Sequence, residues 1–133
     1  MRSVLLLAAT VLFLSCDKGN NDDKDCKKAI CTMMFASVNV SVLDADSNSV
    51  KLSEYYTINI QTNDTIRHAG DTWPDGAYVV LDDSYTPRMY NKQYDFRFIG
   101  ISNGAMVVNE LYTISADCCH INKVSGKNSV VVN

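Results

Sequence analysis

Cys26, Cys31, Cys118, Cys119, His68 and His120 are the side chains of this sequence best suited to chemistry. Cys118-Cys119-His120 sets two sulfurs beside an imidazole, the ligand types that hold zinc, and a fourth donor would have to come from His68, Cys26 or Cys31. The spacing is wrong for a zinc knuckle, and no Cys-x-x-Cys occurs. In an oxidising compartment these four cysteines read instead as two disulfides. Three pairings are open. Bridges from the Cys26/Cys31 segment to the Cys118/Cys119 segment are favoured, because the alternative needs a vicinal Cys118–Cys119 bond of constrained geometry. On an extended strand adjacent cysteines also face opposite ways, so each meets its own partner. Closing such a loop is worth roughly 4–5 kcal/mol on the chain-entropy model.

Other catalytic constellations fail on inventory. His68 and His120 are the two histidines, no Gly-x-Ser-x-Gly is present, and disulfides remove the cysteine nucleophile. Asp83 with Glu110 is the one carboxylate pair to weigh for glycoside hydrolysis, and no surrounding motif supports it. Asp44, Asp46 and Asn48 match the first ligand positions of a calcium loop. Ser49 then stands where the turn wants Gly, and Tyr55 where a bidentate Glu is needed, so a plain turn is expected. No catalytic residue, metal or cofactor is assigned. The expected role is a non-enzymatic binding or structural accessory module, and the alternative is a small metal-dependent or carboxylate hydrolase. Aromatic residues offer the better hint: Trp73, in a Gly/Pro loop, with Tyr85 and Tyr90 around Pro87, forms a candidate binding loop for a glycan or protein. The same residues can also fold back as lids over the end of a sandwich.

The compartment is set at the amino end. Met1-Arg2 is followed by an apolar run from Val4 to Leu14, the length of a signal-peptide core and too short to span a bilayer. Phe13-Leu14-Ser15-Cys16 resembles the lipobox of bacterial lipoproteins. That resemblance implies removal of residues 1–15, lipidation of Cys16, and a protein held at the outer membrane by acyl chains. Residues 16–28 are polar and charged and read as a flexible tether. The acidic, Lys-containing run from Cys16 to Asp25 resembles the surface-export signal of Bacteroidota-type lipoproteins, which implies outward exposure.

About 120 residues follow the leader, enough for one domain with a real core. With 12 Lys+Arg against 15 Asp+Glu there is no basic stripe for phosphates, and nucleic acid is an unfavourable partner.

Residues 29–133 read as strands and turns. Met34, Ala36, Val38, Val40 and Val42 alternate with Phe35, Ser37, Asn39 and Ser41, and Asp44 to Ser49 supplies a turn. Tyr56, Ile58 and Ile60 lie on one face of a second strand, with Thr57 and Asn59 on the other. Further strands are expected at Thr65–His68, Ala77–Leu81, Ile121–Val124 and Val130–Val132, with Ser84–Asn91 as a connection. Asn103-Gly104 is a two-residue type I′ hairpin signal. An unbroken register then places Ile101 opposite Met106, Ile99 opposite Val108, Arg97 opposite Glu110 and Phe96 opposite Leu111. This is an all-β pattern: an antiparallel β-sandwich of about seven or eight strands, transthyretin-like or Ig-like.

Val38 to Val50, alternating valines ending in a short acidic turn, is similar to the opening of transthyretin-like and carboxypeptidase-regulatory-like domains, and Gly76-Ala77-Tyr78 to their later Gly-x-Tyr strand start. Ser49 departs from the Pro or Gly common at that turn. The resemblance implies a sandwich with structural or binding roles and carries over no catalytic residue.

Overall fold

The valine alternation becomes strand β1, Ser37–Leu43, with Val38, Val40 and Val42 buried. The computed structural model describes residues 26–68 and 76–133, so the leader, Cys16 and Trp73 lie outside the described residues. Along the chain follow β2 (Glu54–Asn59), β3 (Thr65–Ile66), β4 (Ala77–Asp82), a 3₁₀ helix (Asp83–Arg88), β5 (Gln93–Ser102), β6 (Ala105–Ala116), β7 (Ile121–Ser125) and β8 (Ser129–Val131). They form two sheets, ordered β4-β1-β8 and β3-β2-β5-β6-β7. The sandwich is antiparallel apart from β8, which runs parallel to β1 and covers its otherwise open edge. Valines of β1 and β4, Phe96 and Phe98 of β5, and Val108, Tyr112 and Ile114 of β6 fill the space between the sheets.

Three details depart from the sequence expectation. First, β1 does not reach back to Met34. Met34 and Phe35 are exposed, because residues 26–36 are tied along the end of the sandwich and not paired in a sheet.

Second, the hairpin forms as expected at its tip and shifts behind it. Asn103 and Gly104 both take positive φ, 51° and 77°, and Ile101 pairs with Met106. A bulge between Gly100 and Ile101 then sets Gly100 opposite Val108, Phe98 opposite Glu110, Arg97 opposite Leu111 and Phe96 opposite Tyr112. The cause is parity. A two-residue turn pairs even-numbered residues of β5 with odd-numbered ones of β6. The side chains that these strands give to the core between the sheets are Phe96 and Phe98 on one and Val108, Tyr112, Ile114 and Ala116 on the other, all even, while Ile99 is buried outside that cluster. One extra residue brings both apolar sets to the same face. Arg97 accordingly donates to Asn109, 2.8 Å away, and Glu110 pairs with Lys127. Gly100 is the residue at the bulge because a Cβ there would sit 2.8 Å from Leu52 Cδ1.

Third, the inward face of β2 is its polar one. Thr57 and Asn59 are fully buried, whereas Ile60 is exposed. A second bulge, between Val38 and Asn39, leaves Val80 without a partner in the β1–β4 register. The Thr57 hydroxyl donates to the Val80 carbonyl oxygen at 2.7 Å, across the two sheets. His68 Nε2 also lies 3.4 Å from this oxygen, and the Thr57 hydroxyl makes the shorter bond, so the cost of burying the hydroxyl is offset by satisfying a buried carbonyl. Asn59 works similarly: its side-chain oxygen accepts from Gln61 and Thr62 N–H, and its amide donates to the Tyr85 hydroxyl.

Thr57→Val keeps the volume and removes the donor. Chemical denaturation should show a loss of about 1–2 kcal/mol, with Thr57→Ser recovering most of it.

Candidate functional site at the stapled end

Two disulfides close one end of the sandwich: Cys26–Cys118 and Cys31–Cys119, with sequence separations of 92 and 88. The long-range pairing expected from sequence is the one observed. Its local geometry differs from the expectation, because Cys118 and Cys119 occupy the turn between β6 and β7 and not a strand. The Asp117 carboxylate builds that turn, accepting from Cys119 N–H at 2.6 Å and His120 N–H at 2.8 Å. Those two hydrogen bonds hold the Asp117 carboxyl below its ordinary value. Cys26, which falls within the expected tether over residues 16–28, is cross-linked to Cys118.

Beside the disulfides, Asp83 joins its own segment to two others, at Ala36 and at His120-Ile121. One of its carboxylate oxygens accepts from Ala36 N–H and lies 2.7 Å from His120 Nδ1. The other accepts from Ile121 N–H at 2.8 Å. The Asp83 N–H donates in return to the Ala36 carbonyl oxygen. Burial pushes the Asp83 carboxyl up, but the hydrogen bonds from Ala36, His120 and Ile121 outweigh it and hold the group below its ordinary value. His120 Nε2 lies 3.0 Å from the Thr32 hydroxyl.

Thr32, His120 and Asp83 therefore connect as a hydroxyl, an imidazole and a carboxylate, the wiring of a nucleophilic triad. Acyl transfer also needs N–H donors aimed at the developing oxyanion. Here the neighbouring N–H groups of Ala36, Cys119, His120 and Ile121 are all spent on Asp83 and Asp117. The arrangement works as a clamp.

The second histidine has its own carboxylate. His68 Nδ1 lies 3.4 Å from Asp82, and its ring stacks on Tyr55 with centroids 6.4 Å apart. Asp82 and Asp83, adjacent in sequence, thus each take one histidine. Asp83 engages His120, and Glu110 engages Lys127. Asp44 accepts from Asp46 and Asn48 N–H, which closes the turn and occupies the first would-be calcium ligand. Among the described residues no three His, Cys, Asp or Glu side chains converge on a metal position.

The aromatic binding loop is corrected in part. Tyr85 is only 5% exposed and packs edge-on against Phe96, since residues 83–88 wind into a 3₁₀ helix whose start is capped by Asp82. Its hydroxyl reaches Asn59 and Asp64, so it is a lid on the core and not a displayed ring. Tyr90 is half-buried, and Trp73 lies outside the described residues. A shallow groove of about 240 Å³ beside Tyr85 includes Arg67 and Arg88. Both guanidiniums are paired, with Glu54 and Asp64, which leaves the groove without a free cation for an anionic ligand.

Sequence reasoning passed over Thr32, Asp117 and the clamp role of Asp83. Asp82-Asp83-Ser84 carried a usable signal, an acidic cap ahead of a turn. The contacts of Asp83 join residues 47 and 38 positions apart, and local pattern does not encode them.

The two disulfides should not add. Either alone closes the long loop, and the other then closes only the short ring through Cys26–Cys31 and Cys118–Cys119. On the chain-entropy model, C26S/C118S or C31S/C119S should each cost about 2–3 kcal/mol, and removing both about 7 kcal/mol, well beyond the sum. Urea titration of the three variants checks this.

Acid should loosen the same end. Asp83 and Asp117 have depressed carboxyls in the folded state. Their contribution is complete above the ordinary value of 3.8 and is lost as pH falls further, through the folded-state values. Thermal melts from neutral pH down to about 2.5 should show a steep fall below that value. The fall should be shallower in D83N/D117N, which starts from lower stability.

Comparison with protein-family models, with curated proteins and with solved structures returns no match for this chain.

Proposed function

We propose that this chain is a lipoprotein of the bacterial cell envelope, anchored by acylated Cys16, displayed at the outer membrane surface, and serving as a non-catalytic binding or accessory module. The observation that carries the reading is the double disulfide at the end of the domain where the chain from Cys16 arrives. Two disulfides within 101 described residues are a feature of exported proteins, since cytosolic thiols are kept reduced. They agree with the Val4–Leu14 run and the lipobox-like Phe13-Leu14-Ser15-Cys16, which lead to the same compartment by a separate route.

A module role is supported by the filled interior and by how the reactive groups are used. The four cysteines are oxidised, and both histidines are held by carboxylates. The spent N–H groups around His120 weigh against the hydrolase alternative. The alternating β1 valines and the two-sheet order remain compatible with the transthyretin-like resemblance. A glycan or a protein is the class of ligand such a module would take.

Labelled palmitate and fractionation test the anchor. The native chain should incorporate label and stay with membranes through an alkaline wash, and Cys16→Ala should lose both. Unchanged label in Cys16→Ala overturns the reading.

A further inference from the structure

Between the points that fasten residues 26–36 to the sandwich, four large apolar side chains face solvent. Ile30 is 99% exposed, Met33 105%, Met34 77% and Phe35 68%. Isolated exposed apolar residues are ordinary, but four within six positions are not. Nor are they left over from a loose strand. Ile30 lies inside the ring closed by the two disulfides. Met33 to Phe35 lie between Thr32, fastened to His120, and Ala36, fastened to Asp83. Both fastenings hold the segment against the end of the sandwich while its apolar side chains point away from the core. Lys27 and Lys28, also exposed, stand beside them.

From these observations we infer that residues 27–35 form a membrane-contact face, in which Ile30, Met33, Met34 and Phe35 enter the headgroup–acyl boundary and Lys27 and Lys28 meet lipid phosphates. The inference rests on the Cys16 anchor. Nine residues separate Cys16 from Cys26, so the stapled end can stand no more than about 35 Å from the acyl chains. Of the whole domain, this end is the one the anchor brings to the bilayer. Apolar side chains flanked by lysines are the composition that lies in a lipid interface. Asp17, Asp22, Asp23 and Asp25 oppose an anionic surface, so lysine attraction is local and the apolar contact carries the binding.

Depth quenching of the acylated full-length protein tests this. Met34→Trp places a reporter in the face. Met106→Trp places one at an exposed site at the far end of β6, about 35 Å from the Cys118–Cys119 corner. Both positions are largely solvent-exposed, so the fold is retained. The reporters are read in phosphatidylethanolamine/phosphatidylglycerol vesicles containing brominated acyl chains, with the unsubstituted protein's Trp73 emission subtracted. The Met34→Trp signal should be blue-shifted and quenched at least about threefold more than that of Met106→Trp. Equal quenching in vesicle-bound protein overturns the inference and leaves the anchor intact. A protein that does not co-float with vesicles fails the anchor instead. A blue shift without quenching, together with cross-linked dimers, assigns the face to a second copy of the chain and also overturns it.

Discussion

The cross-linking of residues 26–36 to the corner between β6 and β7 is the constraint on which the rest depends. Two disulfides set the connection, and the Asp83 carboxylate adds three hydrogen-bonding partners within about one side chain's reach. Covalent bonds limit the unfolded ensemble, while the carboxylate organises the native end. The first effect is independent of pH and the second is not. Together they make residues 26–36, with their exposed apolar side chains, a fixed part of the domain surface.

That fixation also engages the side chains of this end that have the most chemical potential. A metal site needs free thiolates, and the sulfurs are paired with each other. The N–H groups of Cys119, His120 and Ile121 are used in holding the corner together, through Asp117 and Asp83. What this end exposes is apolar and cationic surface, from Lys27 to Phe35.

Inside the sandwich, two bulges decide what is buried. One aligns the even-numbered faces of β5 and β6. The other strands the Val80 carbonyl and so draws the Thr57 hydroxyl into a site that a purely apolar pattern would have assigned to Ile58 or Ile60. Each bulge is a one-residue event with a fold-wide consequence, because strand side chains alternate with period two.

The all-β class, the alternating valines of β1, the Asn103-Gly104 turn and the long-range disulfides were legible in the sequence. Each rests on local chemistry: pleat alternation, the tolerance of positive φ, and the strain of a vicinal disulfide. Which cysteine of each pair meets which, the one-residue offset behind the hairpin, the burial of Thr57, Asn59 and Tyr85, and the grip of Asp83 on Ala36, His120 and Ile121 were decided only by the tertiary structure. They depend on groups brought together from dozens of residues apart, where the need to satisfy a buried carbonyl or fill a shared face outweighs local preference.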